Sequence, residues 1–134
     1  MDEDLKHGPT NWHERFLAWP PTYAWTQARL SYEIWRRPPT VLFIPVHVLP
    51  RILPTKTVVT VHDVGFYRHP ALYTPMQNHY QRWSTQDMVK RASRVITVSE
   101  YSRQELIHFC DADPEKISVT PLGVDPIRYR PLSS

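Results

Sequence analysis

The sequence predicts an α/β domain in which a parallel sheet is wrapped by helices. Short, wholly apolar or β-branched runs recur along the chain, and segments with helical spacing alternate with them. Strand–helix–strand–helix–strand order of this kind joins parallel neighbours, because each crossover needs a helix-length connection.

Each element follows from its residues. Trp25, Ala28, Tyr32 and Trp35 form an apolar stripe at helical spacing, widened by Ile34. Arg36 and Arg37 suit a helix C-terminus and Pro38-Pro39 stop it. Residues 41–44, Val-Leu-Phe-Ile, read as a strand covered on both faces. A proline-punctuated loop leads to residues 57–61, a β-branched strand that ends in His62-Asp63. A loop through Gly65 and Pro70 follows. Thr74 to Ala92 reads as a helix, with Met76, Tyr80, Trp83, Met88 and Ala92 on its apolar stripe. Residues 94–98 form a third strand, and Ser99 is placed to cap the helix of residues 100–110, with Ser102 and Glu105 as an alternative capping box. Residues 117–120 make a fourth strand, closed by Pro121-Leu122-Gly123. The organisation expected is an irregular segment over 1–24, a partial Rossmann-like domain over 25–122 and a connector over 123–134.

Composition narrows the function classes. At 134 residues, 41% hydrophobic and 12% aromatic, the chain is a globular domain with enough material for a core. Its 3 glycines, Gly8, Gly65 and Gly123, are far apart, so the Gly-x-Gly-x-x-Gly turn of a dinucleotide-dependent oxidoreductase is missing. No serine-hydrolase elbow, phosphate-loop lysine motif or nucleic-acid module is present. The net charge of +3 comes from scattered arginines, which suits either a solvated basic surface or attraction to anionic partners. Cys110 is alone, which excludes an internal disulfide and reads as a buried, inert thiol. The longest apolar stretch, Val41 to Leu53, is interrupted and shorter than the ~20 residues a bilayer needs. The acidic start is unlike a secretory signal, so the cytoplasm is the expected address.

In parallel sheets, function gathers at the carboxyl ends of strands. His62, Asp63 and Ser99 occupy those positions. Read from the residues alone, His62 either caps the sheet or contacts a ligand, and Asp63 either orients that ring or caps the next turn. Ser99, Ser102 and Arg103 begin a helix, where plain capping competes with contact to a phosphate or acceptor. His62, His69 and His79 match no metal-ligand spacing, and no metal is expected. The stretch from Trp12 to Trp35, with Arg29, Arg36 and Arg37, is expected to pack on the sheet, the alternative being an interfacial surface with peripheral membrane contact.

Several ordered blocks resemble the N-terminal half of family 4 (group 1) glycosyltransferases. They are residues 57–64 (TVVTVHDV) with His69-Pro70 and Tyr73, residues 92–106 (ASRVITVSEYSRQEL), residues 115–117 (EKI) and residues 121–125 (PLGVD). Phe43-Ile44-Pro45 with Leu49-Pro50 is similar to the family's preceding strand and loop, and the resemblance covers about residues 25–131. It implies the N-terminal half of a glycosyltransferase B-type fold, which binds the acceptor, with a second Rossmann-like domain holding the nucleotide sugar. It further implies transfer with retention of the donor's anomeric configuration, with no cofactor beyond the donor as substrate. The acceptor that the resemblance implies is a sugar or a lipid-linked glycan. His62 matches the histidine that contacts the transferred sugar, taken as catalytic; Asp63, Ser99 and Arg103 are the substrate-binding candidates. Gly123 and Asp125 match the hinge before the second domain. The family's first strand with its glycine-rich loop, and its donor domain, are not found in the sequence. The chain therefore reads as a fragment incomplete at both ends, inactive alone and prone to self-association through an uncovered sheet edge. A non-catalytic module binding a sugar, a lipid-linked glycan or a protein is the rival expectation.

Overall fold

β-branched and apolar runs of a few residues have no length for a helix, and when both faces are covered they settle as central parallel strands. In the computed structural model, which describes residues 11–19, 23–46, 48–125 and Tyr129, four such runs pair as parallel strands. The sheet has 4 strands in the order β1-β2-β3-β4, with β1 Leu42–Ile44, β2 Thr57–Thr60, β3 Arg94–Thr97 and β4 Ile117–Val119. Every neighbouring pair is parallel, with Ile44 opposite Val59, Val59 opposite Val95 and Val95 opposite Ile117 in the registers. The strands stop one residue or so short of the expected limits.

Helix α1, Ser31–Arg36, continues from a π-helical turn over Trp25–Leu30. A four-residue helix α2, Gly65–Arg68, and a 3₁₀ turn, Pro70–Leu72, occupy what the sequence presents as loop. Helix α3 covers Pro75–Arg91 and α4 covers Glu100–Cys110. Thr74 and Gln77 close a reciprocal capping box at the start of α3, and Pro75 fits its first turn, where a missing N–H costs nothing. Ser99 caps α4 by accepting the Ser102 N–H at 3.1 Å. The alternative Ser102–Glu105 box is not used, because Glu105 is engaged elsewhere.

The core sits where the helices meet the sheet. Val59, Val61, Val95, Met88 and Leu106 are fully buried, and Ile44, Phe66, Val89, Ala92 and Ile117 extend the same cluster. Helix α4 packs on β3 and β4 and touches α3, which in turn carries α2. Cys110 is buried beside the Tyr67 hydroxyl at 3.6 Å, and burial raises the thiol above its ordinary value, as an inert cysteine requires.

Three expectations about apolar residues are corrected. Strand β1 is not covered on both faces: successive side chains point to opposite faces, and Ile44 is buried while Phe43 is 54% exposed. The tryptophan-rich stretch does not pack on the sheet: Trp12 and Trp35 are both 67% exposed and Trp25 is 40% exposed. Helix α1 docks instead through Ser31 and Ile34. Ser31 Oγ accepts the Arg51 N–H at 2.8 Å and the Ile52 N–H at 3.4 Å. The same loop is held from the other side by Arg91, which donates to the carbonyls of Pro50 at 3.1 Å and Arg51 at 2.6 Å. Backbone groups that leave regular structure must find partners, and those partners set the docking face. On α3 the stripe is rotated from the one expected. Ser84, Thr85, Met88 and Val89 face inward, while Met76 and Trp83 are exposed.

Candidate functional site

The carboxyl end of β2 emerges at His62-Asp63, and the chain then turns sharply into α2. Asp63 Oδ1 accepts the Gly65 N–H at 2.9 Å, so the carboxylate caps this turn. His62 is exposed, and its Nε2 lies 3.2 Å from the Pro45 carbonyl oxygen in the loop after β1. A carbonyl only accepts, so Nε2 carries the proton in that contact. The backbone carbonyl of His62 accepts from Ser102 Oγ at 3.2 Å, and Ser102 Oγ accepts from Ser99 Oγ at 3.0 Å. The end of β2 and the start of α4 are thereby joined side by side.

Arg103 lies away from this junction in its contacts. It pairs with Glu100 one turn back on α4 at 2.9 Å. Gly123 and Asp125 are exposed and outside regular structure, beyond the end of β4.

Two cavities share Asp63. The first, about 260 Å³, lies between the β2–α2 turn and the inner side of α3, with Phe66, Tyr73, Gln77, Tyr80 and Gln81 among its walls. Buried Ser84 and Thr85 close its floor. The second, about 310 Å³, lies between α2 and the start of α4 and is bordered by Arg68, Tyr101, Ser102 and Glu105. Its charged wall is a bidentate pair. Arg68 Nε donates to Glu105 Oε2 at 2.9 Å and Arg68 Nη2 donates to Oε1 at 2.7 Å. The Glu105 side chain is only 7% exposed, and the Arg68 hydrogen bonds hold its carboxyl below the usual carboxylate value against the opposing effect of burial. Arg68 also lies 5.3 Å from the Phe109 ring centroid.

Among the described residues, no three His, Cys, Asp or Glu side chains gather as metal ligands. Nor is any helix among them long and apolar enough to cross a membrane.

Sequence reasoning brings His62, Asp63 and Ser99 to one end of the sheet, and the structure places them together there. It does not bring Arg103 into either cavity. What it misses is the α3 wall of Gln77, Gln81, Ser84 and Thr85, polar residues in a helix to which it assigns no role. Their recurrence at helical spacing was the available signal.

A family model described as Glycosyltransferase Family 4 matches residues 5–128, almost the whole chain and starting well before the blocks that carry the resemblance. No curated protein matches the chain significantly.

Proposed function

Because the chain belongs to glycosyltransferase family 4, we propose that it is the acceptor-side part of a retaining glycosyltransferase that uses a nucleotide-sugar donor and needs a donor-binding domain to act. One observation carries this proposal: the end of β2, the cap of α4 and the inner side of α3 converge at His62-Asp63, with a cavity of about 260 Å³ opening beside them. Ligands in open α/β sheets sit outside the carboxyl ends of the strands, and this is that end.

The chemistry asked of the site is modest. The acceptor hydroxyl oxygen bonds to the donor's anomeric carbon as the bond to the diphosphate breaks. The bonding pair leaves with the diphosphate, and the hydroxyl proton goes with it. Positive charge gathers on the sugar ring meanwhile. The imidazole at the strand end supplies a hydrogen-bonding partner for a sugar hydroxyl near that charge, fixed in place by the fold. Asp63 serves by shaping the turn that holds His62. Ser99 and Ser102 fix the second wall.

The test is transfer itself. The chain is fused to the donor-binding domain of a family 4 relative and offered a panel of nucleotide sugars with glycoside acceptors, and products are read by mass spectrometry. The fusion transfers sugar and the 134-residue chain alone does not. Transfer by the chain alone overturns the need for a second domain. A correctly folded fusion that binds donor but never transfers overturns the catalytic assignment.

A further inference from the structure

We propose, resting on the acceptor-side assignment above, that the cavity between the β2–α2 turn and α3 seats one neutral, hydroxyl-bearing ring of the acceptor, with Gln81 as the residue that selects it. Gln81 makes the case. Its side-chain Oε1 is buried and has no hydrogen-bond partner among the described residues, although the residue lines the cavity. A buried acceptor left unmade is costly, and a donor satisfies it once the amide turns toward the cavity that the residue lines. A ligand hydroxyl is such a donor.

The other walls define what carries that hydroxyl. Gln77 commits its Oε1 to the Thr74 N–H at 3.1 Å, so what it offers a ligand is its amide nitrogen. Ser84 donates its hydroxyl to the Gln81 carbonyl at 3.1 Å, which leaves it to act toward a ligand as an acceptor. The cavity thus presents both donors and acceptors, as a ring of hydroxyls requires. Asp63 is the one formally charged side chain among its lining residues, and no lysine, arginine or histidine joins it. An anionic ligand such as a phosphate or nucleotide would meet a carboxylate and no counter-charge. A neutral ligand meets no such cost.

Aromatic rings complete the fit. Buried Phe66 holds Tyr73 edge-on at 6.3 Å, and Tyr80 is 48% exposed at the rim. Such rings give an apolar face to the C–H side of a pyranose while the amides take its hydroxyls. Size agrees as well: a dry cavity of about 150 Å³ holds one benzene, and this one, at about 260 Å³, has room for a six-membered ring with substituents. Because Asp63 follows His62 directly, a ring bound here lies next to the strand end at which transfer is proposed.

The experiment uses the 134-residue chain and a panel of methyl pyranosides and disaccharides. Binding is followed by NMR through the Gln81 side-chain amide and the Tyr73 and Tyr80 rings. At least one glycoside shifts these signals, and Gln81→Leu weakens it about tenfold, the scale of one lost hydrogen bond, with the melting temperature and circular dichroism retained. Gln81→Glu keeps an accepting oxygen, so it retains the glycoside binding that Gln81→Leu loses. Cyclohexanol, of similar size with a single hydroxyl, and inorganic phosphate leave the signals in place. The proposal is overturned if no glycoside shifts them, if Gln81→Leu binds as well as the parent, or if cyclohexanol or phosphate binds equally. In the fused enzyme, Gln81→Leu raises the acceptor KM about tenfold. Unaltered KM in a fusion that does transfer removes this subsite and spares the catalytic assignment; glycoside binding here without any transfer does the reverse.

Discussion

The Ser102 hydroxyl donates to the main-chain carbonyl of His62 at 3.2 Å, across two elements that the sequence separates by a whole strand and helix. The same hydroxyl accepts from Ser99, whose oxygen also caps α4. The site's two walls therefore share a short chain of hydrogen bonds, and its strength is measurable. Ser102→Ala removes this hydrogen bond and should destabilise the fold by about 0.5–1.5 kcal/mol. Ser99→Ala removes the helix cap and should cost about 0.5–2 kcal/mol. Because the two hydroxyls bond each other, the double substitution should cost less than the sum. Urea unfolding of the four variants of this cycle checks it, and strict additivity would mean the link carries nothing.

Helix α2 is held to α4 by Arg68 and Glu105, and that link is sensitive to acid. Hydrogen bonding to Arg68 lowers the Glu105 carboxyl from its ordinary value of 4.5. A carboxyl depressed in the folded state contributes stability that is fully present above its unfolded value and is lost as pH falls through its folded value. Stability should therefore decline on acidification below about pH 4.5, and Glu105→Gln should flatten this decline while weakening the fold at neutral pH. Parallel urea titrations across that range read both effects. An unchanged acid slope in Glu105→Gln would place the sensitivity elsewhere.

Two core substitutions should act in opposite directions. Leu106 is fully buried where α4 meets the sheet, and Leu106→Ala should cost about 2–5 kcal/mol through lost burial and the cavity left behind. Thr97, at the end of β3, is also fully buried, and its Oγ1 has no partner among the described residues. Valine has the same shape without the hydroxyl and suits a strand. Thr97→Val should therefore stabilise the fold by about 1 kcal/mol, since a buried unmade hydrogen bond costs that much or more. Thermal melts of the two variants should move apart from the parent. A lower melting temperature for Thr97→Val would show that the hydroxyl does find a partner.

The sheet was legible because its strands are short apolar or β-branched runs, and a run of that length has few other fates. Its strand-end residues were legible for the same reason, as position in a parallel sheet follows from order. What escaped was anything decided by partners far along the chain. The docking face of α1 is chosen by Ser31 accepting from Arg51 and Ile52, so a small polar residue overrides a stripe of tryptophans. The Arg68–Glu105 pair joins two helices that sequence spacing does not relate. The Thr74–Gln77 capping box was there to be read, since threonine three residues before glutamine is its signature. The α3 cavity wall escaped because polar residues on a helix are ordinarily solvent-facing, and only the folded β2–α2 turn gives them something to enclose.

Loss of the His62 ring should reveal whether the strand end is chemical or structural. In the resting structure Nε2 contacts the Pro45 carbonyl at 3.2 Å, so the ring is oriented by the loop after β1 before any ligand arrives. If that oriented ring meets the sugar as charge develops, His62→Ala in the fused enzyme should slow turnover by about 10²-fold or more, the scale of one removed electrostatic contact. Its effect on donor and acceptor affinity should be smaller, because the contact strengthens only in the transition state. Asp63→Asn provides the comparison. Asp63 Oδ1 caps the turn by accepting from Gly65 N–H, and an amide oxygen can do the same, so that variant should lose much less. Single-turnover rates and acceptor KM values for the two variants separate the roles. Full turnover in His62→Ala would make the histidine a strand cap, and an equal loss in both variants would point to the shape of the turn instead of the imidazole.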